Sequence, residues 1–167
     1  PYTTLFRSTI SHNKIYCDIV SELEDGKNVA MLTIGDPSVY STYMYIHKRV
    51  MQAGFTAVMI SGVPSFCAAA ARLGISLGEM MDEIHIIPAS YDVRDTVGYG
   101  GTCVYMKSGK KLAELIEVLR TGDAIRKKKM TVYGVTNCGM ESEHVYMGLD
   151  ELTEAKGYLT IVIVKYS

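Results

Sequence analysis

A glycine, an aspartate and a proline at the end of a short apolar run have the clearest chemical potential in this chain. Residues 29–34 are almost continuously apolar, and Gly35, Asp36 and Pro37 follow directly. Glycine permits close approach to the backbone, and a carboxylate can accept a hydrogen bond from a hydroxyl or an ammonium group. The pattern indicates a ligand-binding turn. A structural role is the alternative, because Asp-Pro turns also begin ordinary helices.

A second loop repeats this arrangement. Residues 55–60 form another apolar run, which ends at Gly62, Pro64 and Ser65. Proline and serine can equally begin and cap an ordinary helix, so a structural role stays open for both. We predict that each apolar run is a parallel strand buried on both faces. Ligands bind at the carboxyl ends of such strands, which makes both loops candidate sites.

Helices and strands must alternate around these loops to position them. The periodicity of apolar residues predicts helices at 10–23, 39–50, 66–73, 112–119 and 149–155, and further strands at 84–87, 102–106, 130–136 and 158–164. This alternation predicts an α/β protein. A polar, glycine-rich stretch at 89–101 predicts a boundary near Ser90, with domains at 9–90 and 91–167. Residues 1–8 lack periodicity, and we interpret them as a non-native start.

Composition excludes several classes of function. The 167 residues are 48% hydrophobic with a net charge of -1, which gives no electrostatic argument for a nucleic-acid partner. No apolar run reaches the roughly 18 residues of a membrane span, so we expect a cytoplasmic protein. Neither the four cysteines nor the four histidines have metal-ligand spacing, which predicts buried free thiols and no bound metal. The cationic run 126–129 is interpreted as a solvated turn.

The order of the motifs resembles the tetrapyrrole methylase family. The resemblance is carried by GDPSVY at 35–40, SGVPS at 61–65, VYMK at 104–107 and VTN at 135–137. Two longer strings, STYMYIHKR at 41–49 and PSFCAAAA at 64–71, are most similar to the branch of precorrin-2 / cobalt-factor II C-20 methyltransferases. Family members open with a strand and a glycine-rich loop that have no counterpart here. We therefore expect an N-terminally truncated chain whose first domain lacks its first strand.

The resemblance implies a two-domain α/β fold, each domain a sheet flanked by helices, and an S-adenosylmethionine-dependent enzyme. The implied reaction is methylation of C-20 of precorrin-2 or cobalt-factor II in cobalamin biosynthesis. The alternatives are another tetrapyrrole methylase, acting on uroporphyrinogen III or at a different precorrin carbon, and an inactive fragment that at most binds the cofactor. The resemblance also implies a homodimer. Whether the substrate ring already holds cobalt stays open.

The resemblance assigns individual residues to the cofactor. Those implied to contact it are Ile34, Gly35, Asp36, Val39, Pro64, Ser65, Met106, Thr136 and Asn137. On this pattern the first turn contacts the methionine and ribose parts, Pro64 and Ser65 hold the amino-acid end, and the last three contact the adenine. Core filling is an alternative for Met106, and a plain turn is one for Asn137.

The substrate and the proton chemistry suggest further candidates. Tetrapyrroles of this pathway carry many carboxylates, so we consider Arg49, Arg72 and Lys107 as their partners, with solvated surface charge as the alternative. A base that removes the C-20 proton could be Asp36, Glu141 or His144. The sequence does not choose among these three.

Overall fold

A computed structural model describes residues 2–90, 92–125, 129–155 and 157–166 of the chain. The chain folds as two compact units, Pro1–Pro64 and Ser65–Ser167. Most of the cationic run 126–129 lies outside the described residues, as does residue 1 of the start predicted to be non-native.

The first unit contains two helices, α1 (Tyr2–Glu24) and α2 (Tyr43–Gln52). Helix α1 includes the predicted helix at 10–23 and also residues 2–8. Helix α2 begins four residues later than predicted. The reason is local, since Tyr40 has a φ of 49°, which a right-handed helix cannot contain, and the Ser41 hydroxyl then accepts the Tyr43 N–H at 3.2 Å.

The two buried strands predicted for the first unit are not present among its described residues. Residues 29–34 and 55–60 lie outside any strand, so the expected sheet of the first domain is absent from residues 2–64 of this structure. Their apolar side chains are largely exposed, with Leu32 at 92% and Ile60 at 82%. An apolar run predicts burial, but a strand also needs a neighbour to complete its ladder of hydrogen bonds. Neither run forms such a ladder with described residues.

The second unit is a five-stranded mixed sheet flanked by helices. Its elements are α3 (Ser65–Leu73), β1 (Ile84–Pro88), β2 (Thr102–Met106), α4 (Leu112–Ile125), β3 (Met130–Thr136), β4 (His144–Met147), α5 (Leu149–Leu152) and β5 (Thr160–Tyr166). The strand order is β1-β2-β5-β3-β4, in which β1 and β2 are parallel and the other neighbours are antiparallel. This arrangement confirms the α/β class.

The core of this unit surrounds the two central strands. All of β2 is buried, and the buried part of β5 extends over residues 160–164. Helix α4 packs its apolar face on the sheet through Leu112, Leu115, Ile116 and Leu119. A side chain at position 134 would crowd the core, because a Cβ there would lie 2.5 Å from Cδ1 of the fully buried Leu152.

Several predicted boundaries differ from the structure. The predicted boundary near Ser90 lies inside the second unit, because β1 ahead of it pairs with β2 beyond it. Helix α4 continues to Ile125, past the predicted stop, while α5 is a single turn and β5 starts at Thr160. Strand β4 was not predicted. It pairs with β3 and is only four residues long.

Candidate functional site

The Asp36 carboxylate is the centre of a hydrogen-bonded cluster in the first unit. It is 8% exposed and accepts from the Ser38 N–H at 2.8 Å and the Ser38 hydroxyl at 2.5 Å. Its other oxygen accepts from the Ser61 hydroxyl at 2.5 Å and from the Gly62 N–H at 3.0 Å. Both predicted loops therefore meet at one side chain.

The sequence explains why these two loops can approach so closely. Gly35 has a φ of 84°, a conformation that favours glycine. Gly62 faces it, and a Cβ on Gly62 would lie 2.3 Å from the Gly35 carbonyl oxygen. Two glycines thus allow contact between the backbones, and Asp36 then bonds across the gap.

This environment fixes the charge of Asp36. Hydrogen bonds from the hydroxyls of Ser38 and Ser61, and from the backbone of both loops, hold the pKa of its carboxyl well below the ordinary value. The carboxylate is consequently ionised at neutral pH and a weak proton acceptor. Its geometry suits a structural anchor better than a general base.

The other residues predicted around these loops have different environments. Val39 lies in the turn ahead of α2, where its N–H donates to the Asp36 carbonyl oxygen at 3.2 Å, and not inside the helix as predicted. Its side chain is partly buried, whereas that of Ile34 is 80% exposed. Pro64 ends the first unit and Ser65 begins α3 in the second, and each is half-buried.

In the second unit, the sheet brings the carboxyl ends of three strands to one edge. Tyr105 of β2 and Gly134 of β3 lie on opposite sides of Val162 in β5. Since β2 and β3 are both antiparallel to β5, they run in the same direction, and β1 is parallel to β2. Adjacent strands are about 4.8 Å apart, so Met106 and Thr136 lie roughly 10 Å from each other at this edge.

Met106 occupies the end of β2 and is buried, with 6% exposure. It pairs with Pro88 at the end of β1, and its carbonyl oxygen accepts the Ala89 N–H at 2.7 Å. The next residue, Lys107, has a φ of 56°, so the chain turns sharply as it leaves the strand. This position is compatible with both roles considered for Met106.

Thr136 is the last residue of β3, and Asn137 begins the turn that follows it. Hydrogen bonds hold both residues in place. The Thr136 and Thr160 hydroxyls are 2.9 Å apart, and the Asn137 N–H donates to the Leu159 carbonyl oxygen at 3.0 Å. Asn137 has a φ of 51°, and its amide Nδ2 donates to the Ser142 hydroxyl at 3.0 Å. The sheet therefore brings Met106, Thr136 and Asn137 to one edge.

The cations proposed for the substrate have partners within their own units. The Arg49 guanidinium donates to Asn13 Oδ1 at 2.7 Å and lies 3.9 Å from the centre of the Tyr16 ring. Arg72, in the last turn of α3, forms an ion pair with Glu143. Arg49 therefore joins α1 to α2, and Arg72 joins α3 to the loop after β3.

The three candidate bases differ in their environments. The Asp36 carboxylate accepts hydrogen bonds from both loops, whereas Glu141 is exposed. His144 is also exposed and packs on Tyr146, with ring centres 4.6 Å apart. Sequence reasoning missed Glu143, whose side chain is only 16% exposed.

The cysteines are free thiols, but most are not buried. Cys103 is buried, Cys138 is partly buried, and Cys17 and Cys67 are exposed. The prediction of buried thiols is thus wrong for two of the four, which lie on the outer faces of α1 and α3. In the part of the chain that the structure describes, no group of three or more potential metal ligands occurs, and no helix has the length and apolarity to cross a membrane.

Comparison with known proteins agrees with this fold. The sequence matches the family described as Tetrapyrrole (Corrin/Porphyrin) Methylases over residues 3–153. It is 34% identical over 145 residues to a probable cobalt-precorrin-2 C(20)-methyltransferase of Methanocaldococcus jannaschii, which covers 85% of this chain and 60% of that protein. It is 29% identical over 75 residues to the cobalt-precorrin-2 C(20)-methyltransferase of Salmonella typhimurium, covering 45% of this chain and 31% of that one. The chain belongs to the tetrapyrrole methylase family.

Solved structures show the same fold. A cobalt precorrin-4 methyltransferase superposes with a TM-score of 0.77 at 16% identity, covering 92% of this chain and 70% of that one. A uroporphyrin-III C-methyl transferase of Thermus thermophilus, complexed with S-adenyl homocysteine, gives 0.72 at 17% identity, with coverages of 92% and 72%. At these identities the similarity concerns the fold alone.

Proposed function

We propose that this chain supports S-adenosylmethionine-dependent methylation of C-20 of precorrin-2 or cobalt-factor II in cobalamin biosynthesis. The observation that carries the proposal is the 34% identity, over 145 residues, to the Methanocaldococcus jannaschii protein of that probable activity. The matched region spans only 60% of that protein. The proposed activity is therefore the one that the longer relative's name gives.

The first group of proposed cofactor residues surrounds the Asp36 cluster. We assign the methionine and ribose parts of the cofactor to Ile34, Gly35, Asp36 and Val39. The Asp36 carboxylate already accepts four hydrogen bonds from its own unit. Its proposed contribution is therefore to hold the turn so that backbone groups of Gly35 and its neighbours face the ligand.

The second group comprises three residues at the sheet edge of the second unit, together with the last residue of the first unit and the first residue of the second. We assign the adenine to Met106, Thr136 and Asn137, and the amino-acid end of the cofactor to Pro64 and Ser65. A thioether at the end of a buried strand, beside backbone and amide groups, suits a flat aromatic base with polar edges. The convergence of β2 and β3 at one edge supports this assignment.

Methyl transfer from a sulfonium depends more on the alignment of the cofactor with the tetrapyrrole than on acid or base catalysis. The cofactor supplies a methyl group on a sulfonium, which is already activated for in-line transfer. The residues of this chain would bind and orient the two reactants and shape the field around a positive charge that disappears. An ionised, fully hydrogen-bonded Asp36 is a poor base, which leaves Glu141 and His144 as the candidates for removing a proton.

The tetrapyrrole substrate requires cations for its carboxylates. Lys107 follows Met106 directly at the sheet edge of the second unit. Arg49 and Arg72 already hold Asn13 and Glu143 through part of their guanidinium groups. We further propose, from the family resemblance, that the protein works as a homodimer in the cytoplasm.

A second reading is methylation at a different position of the ring. It is favoured by 27% identity over 121 residues to the precorrin-4 C(11)-methyltransferase of Rhodococcus erythropolis. Incubation with ¹³C-methyl-labelled S-adenosylmethionine and either precorrin-2 or cobalt-factor II distinguishes the two. A product heavier by one labelled methyl, with its carbon resonance at the C-20 position, supports the proposal. Label at another carbon supports the second reading, and no label with any tetrapyrrole contradicts both.

A further inference from the structure

Glu143 connects helix α3 to the loop that follows β3. One carboxylate oxygen accepts from Arg72 Nε, and the other accepts the Gly139 N–H at 2.7 Å. Although the loop is otherwise exposed at 139–142, the Glu143 side chain is only 16% exposed. A glutamate side chain on the surface is usually exposed to solvent unless it is paired.

The loop that Glu143 holds is the one that carries Asn137. It turns back on itself through hydrogen bonds from the Met140 N–H to the Asn137 carbonyl oxygen, at 2.9 Å, and from the Glu143 N–H to the Met140 carbonyl oxygen, at 3.0 Å. Inside it, Asn137 Nδ2 reaches Ser142 at 3.0 Å. These bonds close the loop on itself, while the Glu143 carboxylate ties its tip to a helix more than 60 residues earlier in the chain.

The charges in this cluster are consistent with a fixed anchor. The Gly139 N–H and the Arg72 guanidinium hold the pKa of Glu143 below its ordinary value, so that its carboxylate is ionised at neutral pH. Burial and the neighbouring carboxylate raise the pKa of the Cys138 thiol, which therefore stays protonated at neutral pH. An ionised carboxylate forms stronger hydrogen bonds with its donors than a neutral carboxyl group does.

We propose that Glu143, with Arg72 as its counter-charge, is a positioning residue that fixes the backbone of residues 137–139 in the conformation that binds the adenine of the cofactor. This inference rests on the proposed function, which assigns Thr136 and Asn137 to the adenine. In this inference Arg72 orients Glu143 instead of binding a substrate carboxylate. The ion pair also ties the loop in which Asn137 has a left-handed backbone to helix α3.

The test compares Glu143→Gln, Glu143→Ala and Arg72→Ala with a matched control. The control is Arg120→Ala, which removes an arginine paired with Asp150 at 2.5 Å in the same unit but between α4 and α5. Binding of S-adenosylhomocysteine to the full 167-residue chain is measured by calorimetry. We expect the dissociation constant to rise about tenfold in each of the three variants, and to stay within about twofold in the control.

Amide hydrogen exchange supplies a readout that needs no ligand. In Glu143→Ala and Arg72→Ala, the Gly139 amide and its neighbours in the loop should exchange at least about tenfold faster, while amides of β2 and β5 keep their protection. A purely structural role would raise exchange throughout the second unit instead. If Glu143→Ala does not fold, Glu143→Gln preserves the shape of the side chain and decides the matter.

The outcomes separate this inference from the proposed function. Wild-type affinity in Glu143→Gln and Arg72→Ala, or an unchanged Gly139 exchange rate, would overturn the inference and leave the proposed function standing. Absence of binding by the wild-type chain would overturn both. Weaker binding together with exchange confined to residues 137–143 would support the inference.

Discussion

The carboxylate of Asp36 accepts the backbone N–H of Gly62 at 3.0 Å, although the two residues are 26 positions apart in the chain. This bond joins the two loops that follow the apolar runs at 29–34 and 55–60. The Ser61 hydroxyl reinforces it, and the missing Cβ of Gly62 makes room for it. The cluster therefore depends on two residue types, a carboxylate and a glycine, and each can be tested separately.

Asp36→Asn should lower the melting temperature by a few degrees. The amide keeps the size of the side chain, but one of its two ends donates, and that end cannot accept from the donors of Ser38 or Ser61. Calorimetric melting of the variant and the wild type measures the effect. An unchanged melting temperature at pH 7 would mean that the four hydrogen bonds contribute nothing net.

The stabilisation by Asp36 should also depend on pH in a defined direction. Because the folded pKa lies below the ordinary value of 3.8, the contribution is fully present above that value and is lost as the pH falls from there towards the folded pKa. Melting temperatures of wild type and Asp36→Asn should therefore differ by a constant amount between pH 5 and 7 and converge below about pH 3.8. A difference that grows on acidification would contradict this assignment.

Gly62→Ala should disrupt the contact between the two loops. The new Cβ would lie 2.3 Å from the Gly35 carbonyl oxygen, a backbone atom that has no rotamer to escape into. We expect a loss of about 1–3 kcal/mol in the free energy of unfolding. Gly100→Ala is the control, since nothing lies within 4 Å of a Cβ there. Chemical denaturation of both variants makes the comparison, and equal stabilities would contradict the predicted clash.

Gly134→Ala should destabilise the second unit through Leu152. Its Cβ would overlap the Leu152 side chain, which is fully buried, and the expected cost is about 1–3 kcal/mol. Leu152→Ala alone should cost about 2–5 kcal/mol because it leaves a cavity. The double variant should be more stable than the sum of the two losses predicts, since the alanine at 134 partly fills that cavity. Strict additivity would contradict a contact between the new Cβ at position 134 and the Leu152 side chain.

The sequence predicted the second unit well because its elements have strong local signals. Helix α3 starts at a serine that follows a proline and ends before Gly74, and β2 is a short apolar run between glycine-containing turns. Strand β4 has no comparable signal. It is four residues long and half exposed, and only its pairing with β3 makes it a strand.

The first unit was predicted less well for a physical reason. The apolar runs at 29–34 and 55–60 have the composition of buried strands, but composition does not specify what covers them, and their side chains are exposed in this structure. The two loops that meet at Asp36 were singled out from the sequence because glycine, aspartate and proline have distinct conformational roles, although their hydrogen bonds to each other were not predicted. Glu143 was not singled out, because its partner Arg72 is 71 positions away and no local pattern connects the two.

Calorimetric titration of the 167-residue chain with S-adenosylhomocysteine tests the central claim most directly. The demethylated cofactor binds without being consumed, so one experiment reports affinity and stoichiometry. We expect saturable binding at one site per chain, weakened at least about tenfold by Asp36→Ala and by Met106→Ala, and retained in Met106→Leu, which keeps most of the volume at the end of β2. Absence of saturable binding by a chain with a cooperative melting transition would contradict the account.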